Sequence, residues 1–324
     1  MGPQTSENEN FTLSVYSSTP RTPHSTLRTP QQWRFLNTGY GEAAMNMALD
    51  EAMLLLHEAG ETPPTLRVYG WQAPTLSLGY AQHSAKEVNL DACRRYGVTV
   101  VRRPTGGRAV LHDDEVTYSV VMPLTLADGS HTLTEHYRRI GLALAAALCQ
   151  LGVPVRLARP QRPATTQRTP ASPACFAALS RHELSVNGKK LVGSAQKRAQ
   201  HALLQHGSIP LTLDRQRLFH CLHVSPEHRA LLVEEAHTTM TAVHEVATAP
   251  VRIADLHEAL RSGFATTFGV ELIEGTVLCA EWRLAQQLRT IKYATATWNL
   301  NGAAAWRHEL SGVPAISEVK EARS

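Results

Sequence analysis

The stretch that decides the fold is Glu183-Leu-Ser-Val-Asn-Gly-Lys-Lys-Leu-Val-Gly-Ser-Ala195. Two runs of strand-forming residues flank the pair Asn187-Gly188. Because both residues of the pair tolerate a positive φ, the pair predicts a two-residue hairpin turn. A third run, over residues 202–210, continues the same meander. This part of the chain is therefore predicted to be antiparallel sheet.

The segments upstream of the hairpin alternate between helix and short strand. Apolar residues at helical spacing predict a helix over residues 42–58, with Asp50 and Glu51 outside the apolar stripe. A second predicted helix, over residues 133–151, ends at the stop signal Gly152. Between the two helices lie strand-type runs punctuated by Pro and Gly, at residues 65–69, 75–78, 98–103, 109–112 and 116–122.

The two ends of the chain differ in composition. Residues 1–31 are rich in Ser, Thr, Pro, Asn and Gln. Such a segment cannot bury enough apolar surface to offset the entropy of ordering, so a disordered N-terminal tail is predicted. Residues 159–173, rich in Pro, Thr and Arg, predict an irregular loop. The chain after residue 214 reads mainly as helices, at residues 227–236, 253–268 and 280–288.

Composition argues against several classes of protein. Of 324 residues, 43% are hydrophobic and 19% charged, as in ordinary globular proteins, and a net charge of +4 does not suggest a nucleic-acid binder. No apolar run approaches the roughly 20 residues of a membrane span, and the polar N-terminus lacks the apolar core of a signal peptide. Five scattered cysteines argue against a disulfide framework. We expect a cytoplasmic protein that contacts neither membranes nor nucleic acids.

Cys175 is the candidate nucleophile among the five cysteines. It stands just beyond the predicted loop 159–173 and fifteen residues before Lys190, whose ammonium could hold it as a thiolate. A free thiol has a pKa of about 8.5 and is only slightly ionised at neutral pH, whereas a nearby cation lowers that pKa. Loop and cation are both missing around the other cysteines. Of these, Cys149 lies in an apolar helix and is expected to be buried.

A second candidate segment is the glycine loop Thr105-Gly-Gly-Arg108, which joins two predicted strands. Paired glycines let backbone N–H groups approach a ligand or an oxyanion closely. The same pair of glycines also suits a tight turn that only connects two strands. Spacing alone does not decide between a ligand-binding loop and such a turn. The dinucleotide-binding and phosphate-binding glycine motifs are both absent from this loop, so nucleotide binding is not indicated.

Two histidines are candidate bases, and both could instead be satisfied within the sheet. His112 and Asp113 are neighbours on a strand and point to opposite faces, so they cannot readily form a dyad, and backbone groups are expected to satisfy His112. His206 follows the hairpin, which keeps it near Lys190 in the meander. The run His220-Cys-Leu-His223 lacks the further ligands of a zinc site, and no metal is expected.

Three runs resemble the superfamily of lipoate-protein and biotin-protein ligases, in order and in spacing. They are Arg102-Arg-Pro-Thr-Gly-Gly-Arg-Ala-Val-Leu-His-Asp113, Gly188-Lys-Lys-Leu-Val-Gly-Ser-Ala-Gln-Lys-Arg198 and Leu204-Gln-His-Gly-Ser208. Within the superfamily, the chain most resembles the cysteine-dependent octanoyl-acyl-carrier-protein:protein octanoyltransferases, the LipM type. Cys175 matches the cysteine that carries the acyl group, and Arg108 stands where the ATP-using ligases have a third glycine.

The resemblance implies an α/β (α+β) fold, a mixed and largely antiparallel sheet with packed helices. It implies a catalytic domain over residues 32–250, with residues 251–324 as a helical extension of the same domain. Cys175 and Lys190 would be catalytic, the cysteine as nucleophile and the lysine as the cation that lowers its pKa. The residues that would bind substrate are Arg103, Gly106, Gly107, Arg108, His112, Gly193 and His206. The walls of an acyl tunnel would include Leu76, Leu78 and Val192.

The implied reaction needs no ATP, metal or other cofactor. Octanoyl would pass from octanoyl-acyl carrier protein through Cys175 to a lysine of the glycine-cleavage H protein or of a lipoyl domain of a 2-oxoacid dehydrogenase. A mild excess of positive charge suits such small acidic partners. Two alternatives stay open: an amidotransferase that takes octanoyl from the H protein, and an ATP-dependent lipoate-protein ligase. The intact Cys175 and Lys190 argue against a non-catalytic member that only binds lipoylated partners.

Overall fold

A computed structural model describes residues 31–126, 129, 132–158 and 183–310. The predicted N-terminal tail, apart from Gln31, lies outside these ranges, and so do the predicted loop 159–173 and Cys175. The described residues belong to one compact unit that begins at Gln31. Within them, no helix combines the length and the apolar character needed to cross a membrane.

The described residues form eleven strands and ten α-helices, numbered in chain order. The strands are β1 (Gln31–Gly41), β2 (Thr65–Trp71), β3 (Thr75–Leu78), β4 (Thr99–Arg102), β5 (Val110–His112), β6 (Glu115–Pro123), β7 (Arg156–Leu157), β8 (Leu184–Val186), β9 (Lys189–Arg198), β10 (Ala202–Pro210) and β11 (Val270–Glu274). The helices are α1 (Ala43–Glu58), α2 (Ser84–Glu87), α3 (Leu90–Arg95), α4 (Leu133–Gln150), α5 (Arg215–His220), α6 (Pro226–Thr239), α7 (Val243–Val246), α8 (Ile253–Phe268), α9 (Cys279–Leu288) and α10 (Ala303–Leu310). Two π-helical turns, Arg289–Tyr293 and Thr297–Asn301, lie between α9 and α10.

Two sheets organise the molecule. The main sheet has the strand order β11-β1-β2-β6-β10-β9-β8-β7, in which β1 is parallel to β2 and β11 and the remaining neighbours are antiparallel. The smaller sheet has the order β4-β3-β5, with β3 parallel to β4 and antiparallel to β5. The predicted mixed, largely antiparallel sheet with packed helices is confirmed.

The predicted hairpin forms as its turn residues require. Asn187 and Gly188 both have positive φ values, 50° and 80°, which is the backbone of a tight turn whose twist matches that of the flanking strands. β10 then pairs with β9 on one side and with β6 on the other. The meander predicted from the sequence thus forms the centre of the main sheet.

The main sheet packs on both of its faces. On one face, apolar side chains such as Val68, Val120 and Leu203 form the largest core cluster together with residues of α4 and α8. Burying a side chain of this size contributes about 1.5–3 kcal/mol. On the other face, α1 and α9 pack over residues such as Tyr69 and Leu204. The smaller sheet has a separate core, shared with α3, α5 and α6.

The structure departs from the sequence expectations at one end of the main sheet. Neither β1 nor β11 was expected, and residues after 251 are not only helical, because β11 joins the main sheet parallel to β1. Gly269 ends α8 in the left-handed conformation, with a φ of 65°, and lets the chain turn directly into β11. An edge strand of five residues with two charged side chains gives only a weak sequence signal.

Candidate active site

One face of the main sheet carries polar side chains that are buried inside the protein. Register places Tyr69 of β2 beside Thr117 of β6, Thr117 beside Ser208 of β10, and Ser208 beside Gly193 of β9. All four residues are buried. Since residues at alternate positions of a strand share a face, this row defines one surface that crosses four strands.

A cavity lies along this row. It encloses about 360 Å³ of space between atoms, including its opening to solvent. Four predicted substrate-binding residues, contributed by three strands and one loop, line it together: Arg103, His112, Gly193 and His206. The rest of the lining is Met47, Tyr69, Trp71, Val110, Thr117, Ser194, Ala195, Gly207 and Ser208. The structure therefore brings together residues that are up to 161 positions apart in the sequence, Met47 and Ser208.

His206 is held by a buried carboxylate. Its Nδ1 donates to Asp50 Oδ2 over 2.9 Å, and its Nε2 accepts from the Thr105 hydroxyl over 2.7 Å. Burial lowers the pKa of His206 more than Asp50 raises it, which favours the neutral ring. Burial opposes ionisation of Asp50 as well, but the charge of Arg67, 2.7 Å away, and the His206 hydrogen bond hold the Asp50 pKa below its usual value. The result is an oriented, neutral imidazole on the cavity wall.

His112 is held in the same manner by Glu115. Its Nδ1 donates to Glu115 Oε1 over 2.8 Å, and its Nε2 accepts from the Ser77 hydroxyl over 2.6 Å. The expectation that backbone groups satisfy His112 was wrong, because two side chains from neighbouring strands reach both of its ring nitrogens. Burial opposes ionisation of Glu115, but the nearby His112 and hydrogen bonds from Ser208 and Thr117 keep its pKa low.

Arg103 connects the cavity to the glycine loop. Its guanidinium donates to the Ser77 backbone and hydroxyl oxygens over 2.8 and 2.7 Å, and to the carbonyl oxygens of Gly106 and Arg108 over 2.9 Å each. Gly106 and Gly107 are exposed and Arg108 is half-buried, and none of these three lines the cavity. The loop lies beside the cavity rather than inside it.

One glycine of this loop, Gly107, is required by its geometry, and so is Gly79, which lies against it. Gly107 has a φ of 94°, a conformation that L side chains rarely adopt. A Cβ at Gly79 would lie 1.9 Å from the Gly107 carbonyl oxygen, so the two backbones approach too closely for any side chain. In the part of the chain that the structure describes, the N–H groups of Gly106 and Gly107 have no hydrogen-bond acceptor. These two donors are available to a ligand.

Lys190 is buried and paired. Its Nζ donates to Glu183 Oε1 over 2.6 Å, and both side chains are almost completely inaccessible to solvent. The ladder between β8 and β9 shifts at this point, since Leu184 pairs with Val192 while Ser185 pairs with Lys190. This β-bulge breaks the alternation of β9 and returns Lys190 to the face that carries Gly193.

Three residues expected to wall an acyl tunnel lie elsewhere. Leu76 and Leu78 pack in the core of the smaller sheet, and Val192 packs against the helices on the far face of the main sheet. Their side chains point away from the polar row. The sequence does not specify which face of a strand points toward which layer, and the structure places these three residues in other cores. Cys149, expected to be buried, is exposed, because it lies on the solvent side of α4.

Several residues in the cavity wall or directly behind it had no role in the sequence expectations. Asp50 and Glu115 orient the two histidines, and Trp71 stacks on His112 with ring centroids 4.3 Å apart. A sequence signal for Glu115 exists in β6, where Glu115, Thr117 and Ser119 occupy every second position of a strand that is buried along almost its whole length. A polar face in a fully buried strand indicates a lined cavity, since an ordinary core face would be apolar.

Comparison with known proteins gives one consistent set of relatives. Residues 42–265 match the family model of the lipoyl protein ligase A/B catalytic domain. The chain is 45% identical over 271 residues to "Octanoyltransferase LipM" of Kyrpidia tusciae, covering 83% of this chain and 98% of that protein. It is 40% identical over 273 residues to the protein of the same name from Brevibacillus brevis, covering 83% and 99%.

Solved structures of the same kind share the fold. The bipartite lipoate protein ligase of Thermoplasma acidophilum superposes with a TM-score of 0.70 at 26% identity, over 83% of this chain and 96% of that one. A lipoate-protein ligase A with bound ATP superposes with a TM-score of 0.67 at 25% identity, over 84% and 99%. The described fold is thus that of a known group of protein-modifying enzymes.

Proposed function

The chain belongs to the lipoyl protein ligase A/B catalytic domain family, and from this membership we infer that it transfers octanoyl groups in lipoate biosynthesis. The observation that carries the inference is identity of 37–45% to relatives named octanoyltransferase, over nearly the whole length of those relatives. The acceptor is accordingly a protein that carries a lipoyl-type lysine, such as a lipoyl domain or the glycine-cleavage H protein. The enzyme is an acyltransferase.

The first half-reaction transfers octanoyl from octanoyl-acyl carrier protein to Cys175. The thiolate of Cys175 attacks the thioester carbonyl, a new carbon–sulfur bond forms, and the bond to the carrier sulfur breaks. The carrier leaves as a thiolate and takes up a proton. One thioester replaces another, so the step is nearly isoenergetic and requires no ATP. In this scheme Lys190 stabilises the thiolate electrostatically, and its buried pairing with Glu183 over 2.6 Å fixes the position of the ammonium.

The second half-reaction forms the amide. The acceptor lysine attacks the octanoyl-Cys175 thioester as a neutral amine, the carbon–nitrogen bond forms, and Cys175 leaves as a thiolate. The attacking nitrogen loses a proton in this step. Amide formation from a thioester is downhill, which drives the overall transfer.

The cavity supplies the surroundings for both steps. Its apolar lining, with Met47, Val110 and Trp71, suits the hydrocarbon chain. The N–H groups of Gly106 and Gly107 are the proposed donors to the oxyanion, a contribution that is worth about 3–4 kcal/mol per donor where it has been measured in acyl transfer. Arg103 keeps the glycine loop in place for this role through the carbonyl oxygens of Gly106 and Arg108.

Mass spectrometry of the intact protein tests this proposal. Mixing with octanoyl-acyl carrier protein in the absence of ATP should add one octanoyl group, and hydroxylamine should remove it. Cys175→Ser should abolish both the adduct and the transfer to a lipoyl domain. The exposed Cys149 and Cys279 provide matched controls, since Cys149→Ser and Cys279→Ser should keep both.

Three results would contradict parts of the scheme. Full transfer by the Cys175→Ser protein would refute the thioester intermediate. Attachment of free octanoate or lipoate that depends on ATP and releases pyrophosphate would assign the chain to the ligases. Transfer that occurs only from octanoyl-H protein would make the chain an amidotransferase with the same nucleophile.

A further inference from the structure

The bulge that turns Lys190 toward the polar row is supported from outside the main sheet. The backbone N–H of Thr241 donates to the Lys190 carbonyl oxygen over 2.9 Å, and Met240 pairs with Lys190 as an isolated parallel β-bridge. Met240 and Thr241 are both buried. This two-residue segment lies between α6 and α7, so the contacts of these two helices determine where it sits.

One guanidinium holds the segment in place. Arg215 of α5 is buried, and its Nη2 donates to the Met240 carbonyl oxygen over 3.0 Å. The two Nη atoms of the same guanidinium donate to the two carboxylate oxygens of Glu245 in α7, over 2.8 Å each. The Thr241 hydroxyl donates to Glu245 Oε2 over 3.0 Å. The planar fork of the arginine therefore holds Met240 directly and Thr241 through the carboxylate.

The Arg215–Glu245 pair keeps its charges near neutral pH. Burial opposes ionisation of Glu245, but hydrogen bonds from Arg215 and Thr241, together with the charge of Arg215, hold the Glu245 pKa below its usual value. Because the two opposite charges are in contact, their fields partly cancel at a distance. We therefore expect the pair to act on Lys190 through the backbone contact and not through its own field.

The backbone contact matters because it limits where the Lys190 ammonium can lie. Lys190 Nζ is paired with Glu183 and almost inaccessible to solvent, so a close-packed side chain has little freedom to compensate for a displaced backbone. The interaction of an ammonium with a thiolate weakens as the distance between them grows. On the proposed function, a loosened bulge should thus weaken the effect of Lys190 on Cys175.

We propose that Arg215 is a positioning residue for Lys190, which holds Met240 and Thr241 against the β9 bulge and so keeps the ammonium on the face of the polar row. The proposal rests on the proposed function, in which Lys190 stabilises the thiolate of Cys175. Arg215 touches no reacting group in this scheme. Its contribution exists only while Lys190 is present, and this dependence separates positioning from a direct effect of the Arg215 charge.

The pH dependence of Cys175 alkylation by iodoacetamide, followed by peptide mass spectrometry in the full-length protein, tests this proposal. Arg215→Met keeps the length of the side chain and removes its hydrogen-bond donors. We expect it to raise the pKa of alkylation by about half a unit or more, which is roughly threefold less thiolate at pH values below that pKa. Glu245→Gln leaves the Arg215–Met240 hydrogen bond in place and should shift the profile less.

The double variant Lys190→Ala/Arg215→Met decides how Arg215 acts. Its alkylation profile should coincide with that of Lys190→Ala alone, because a positioning residue has no effect once the group that it positions is gone. A further upward shift of the profile in the double variant would show that Arg215 acts on the thiol through its own charge, and the positioning role would then be wrong.

Arg217→Met is the control on the same helix. Arg217 pairs with Asp113 near the surface, where solvent screens the pair, so its loss should leave the alkylation profile unchanged. Urea unfolding of the same variants measures stability separately. A purely structural Arg215 would lower the unfolding free energy in Arg215→Met without moving the profile, and that result would overturn the proposal.

Two further outcomes keep the proposal distinct from the proposed function. If Arg215→Met does not fold, Arg215→Lys decides in its place, because lysine keeps the charge and loses the bidentate fork. An unchanged profile in a folded Arg215 variant that still takes octanoyl overturns the positioning role and leaves the proposed function intact. A wild type that takes no octanoyl on Cys175 overturns the proposed function, and the positioning role with it.

Discussion

At the scale of single residues, the pairing of Lys190 determines what its ammonium can do. A buried lysine beside a buried carboxylate exerts a weaker field on a thiol than an unpaired one, because the two charges partly cancel at a distance. Glu183 and Lys190 should therefore act on Cys175 in opposite directions. In the proposed mechanism, Lys190 favours the thiolate, and Glu183 disfavours it while holding Lys190 in position.

Alkylation of Cys175 by iodoacetamide across a pH series tests this electrostatic pairing. Lys190→Ala should raise the pH at which Cys175 is alkylated by about one unit or more, since a nearby cation shifts a thiol pKa by that order. Glu183→Gln should shift the profile in the opposite direction. Site-resolved peptide mass spectrometry is needed, and the exposed Cys149 and Cys279 then serve as internal references.

Lys189→Ala is the matched control for this experiment. Lys189 is the neighbouring residue of the same strand and is only half-buried, so solvent screens its charge and the profile should not move. A loss of octanoyl transfer in Lys190→Ala with an unchanged alkylation profile would show that Lys190 binds the acyl group rather than tuning the thiol.

At the scale of elements, the crossing of α4 and α8 depends on a glycine. A Cβ at Gly263 of α8 would lie 2.4 Å from the Ala143 carbonyl oxygen and 3.2 Å from the Ala147 Cβ of α4. The two helices thus pack closely through small residues. The nearest atom is a backbone oxygen, which cannot move aside without moving the rest of its helix. This contact supports the helix layer behind the polar row, because both helices pack on the largest core cluster.

Gly263→Ala should therefore destabilise the protein even though alanine has the better helix propensity. Overpacking a close crossing costs about 1–3 kcal/mol, more than the gain of up to about 1 kcal/mol from replacing glycine within a helix. Urea unfolding followed by circular dichroism measures the free energy. The adjacent Ser262 is exposed, and Ser262→Ala should stay within about 0.5 kcal/mol of the wild type. Equal stability of the two variants would refute the tight crossing.

At the scale of the whole molecule, hydrogen bonds to Glu51 connect three parts of the chain that are distant in sequence: α1, β9 and the segment at Lys292 and Tyr293. The carboxylate of this α1 residue accepts from Lys197 of β9 over 2.6 Å, from Lys292 over 2.5 Å and from the Tyr293 hydroxyl over 2.7 Å. Burial raises the pKa of Glu51, but the two lysine charges and their hydrogen bonds outweigh burial and hold it far below its usual value. Aromatic rings, with Trp298 nearest at 4.2 Å, surround the Lys292 ammonium.

The depressed pKa of Glu51 predicts an acid-sensitive fold. A carboxyl whose pKa is lower in the folded state stabilises the fold above its unfolded pKa of about 4.3, and that contribution is lost as pH falls toward the folded pKa. The pKa values of Asp50 and Glu115 are also lowered in the folded state, so these two carboxyls add to the loss of stability at acid pH. The unfolding free energy, measured in urea between pH 7 and pH 3, should therefore fall steeply below about pH 4.3.

Glu51→Gln isolates the contribution of this carboxylate. At pH 7 the variant should lose about 3–5 kcal/mol, the usual cost of leaving a buried partner charge uncompensated. The loss should shrink as pH falls below about 4.3, because protonation of Glu51 in the unfolded wild type removes the stability that the ionised carboxylate contributes. Glu61→Gln, at an exposed position just after the same helix, should match the wild type at every pH. A constant difference between Glu51→Gln and the wild type across the pH range would contradict the ionised state of Glu51.

Most local elements of this fold were predictable from the sequence. The hairpin at Asn187-Gly188, the strand Ala202–Pro210 and the helix Ile253–Phe268 lie where turn residues and periodicity predicted them. Each of these signals is read within a few residues, so no distant contact is needed to specify them. β1 and β11 were missed because they pair with each other across more than 200 positions, and neither has a strong local pattern.

The sequence by itself determined which chemical groups are present and roughly where the strands and helices that carry them begin and end. It identified Cys175 and Lys190 as the candidate pair and His206 as a candidate binding residue, because a motif is a local property of the chain. Only the tertiary structure decided which side chains share the cavity. The Asp50–His206 hydrogen bond joins residues 156 positions apart. Strand register and a single β-bulge set the face to which each side chain points, and both depend on pairing between distant segments.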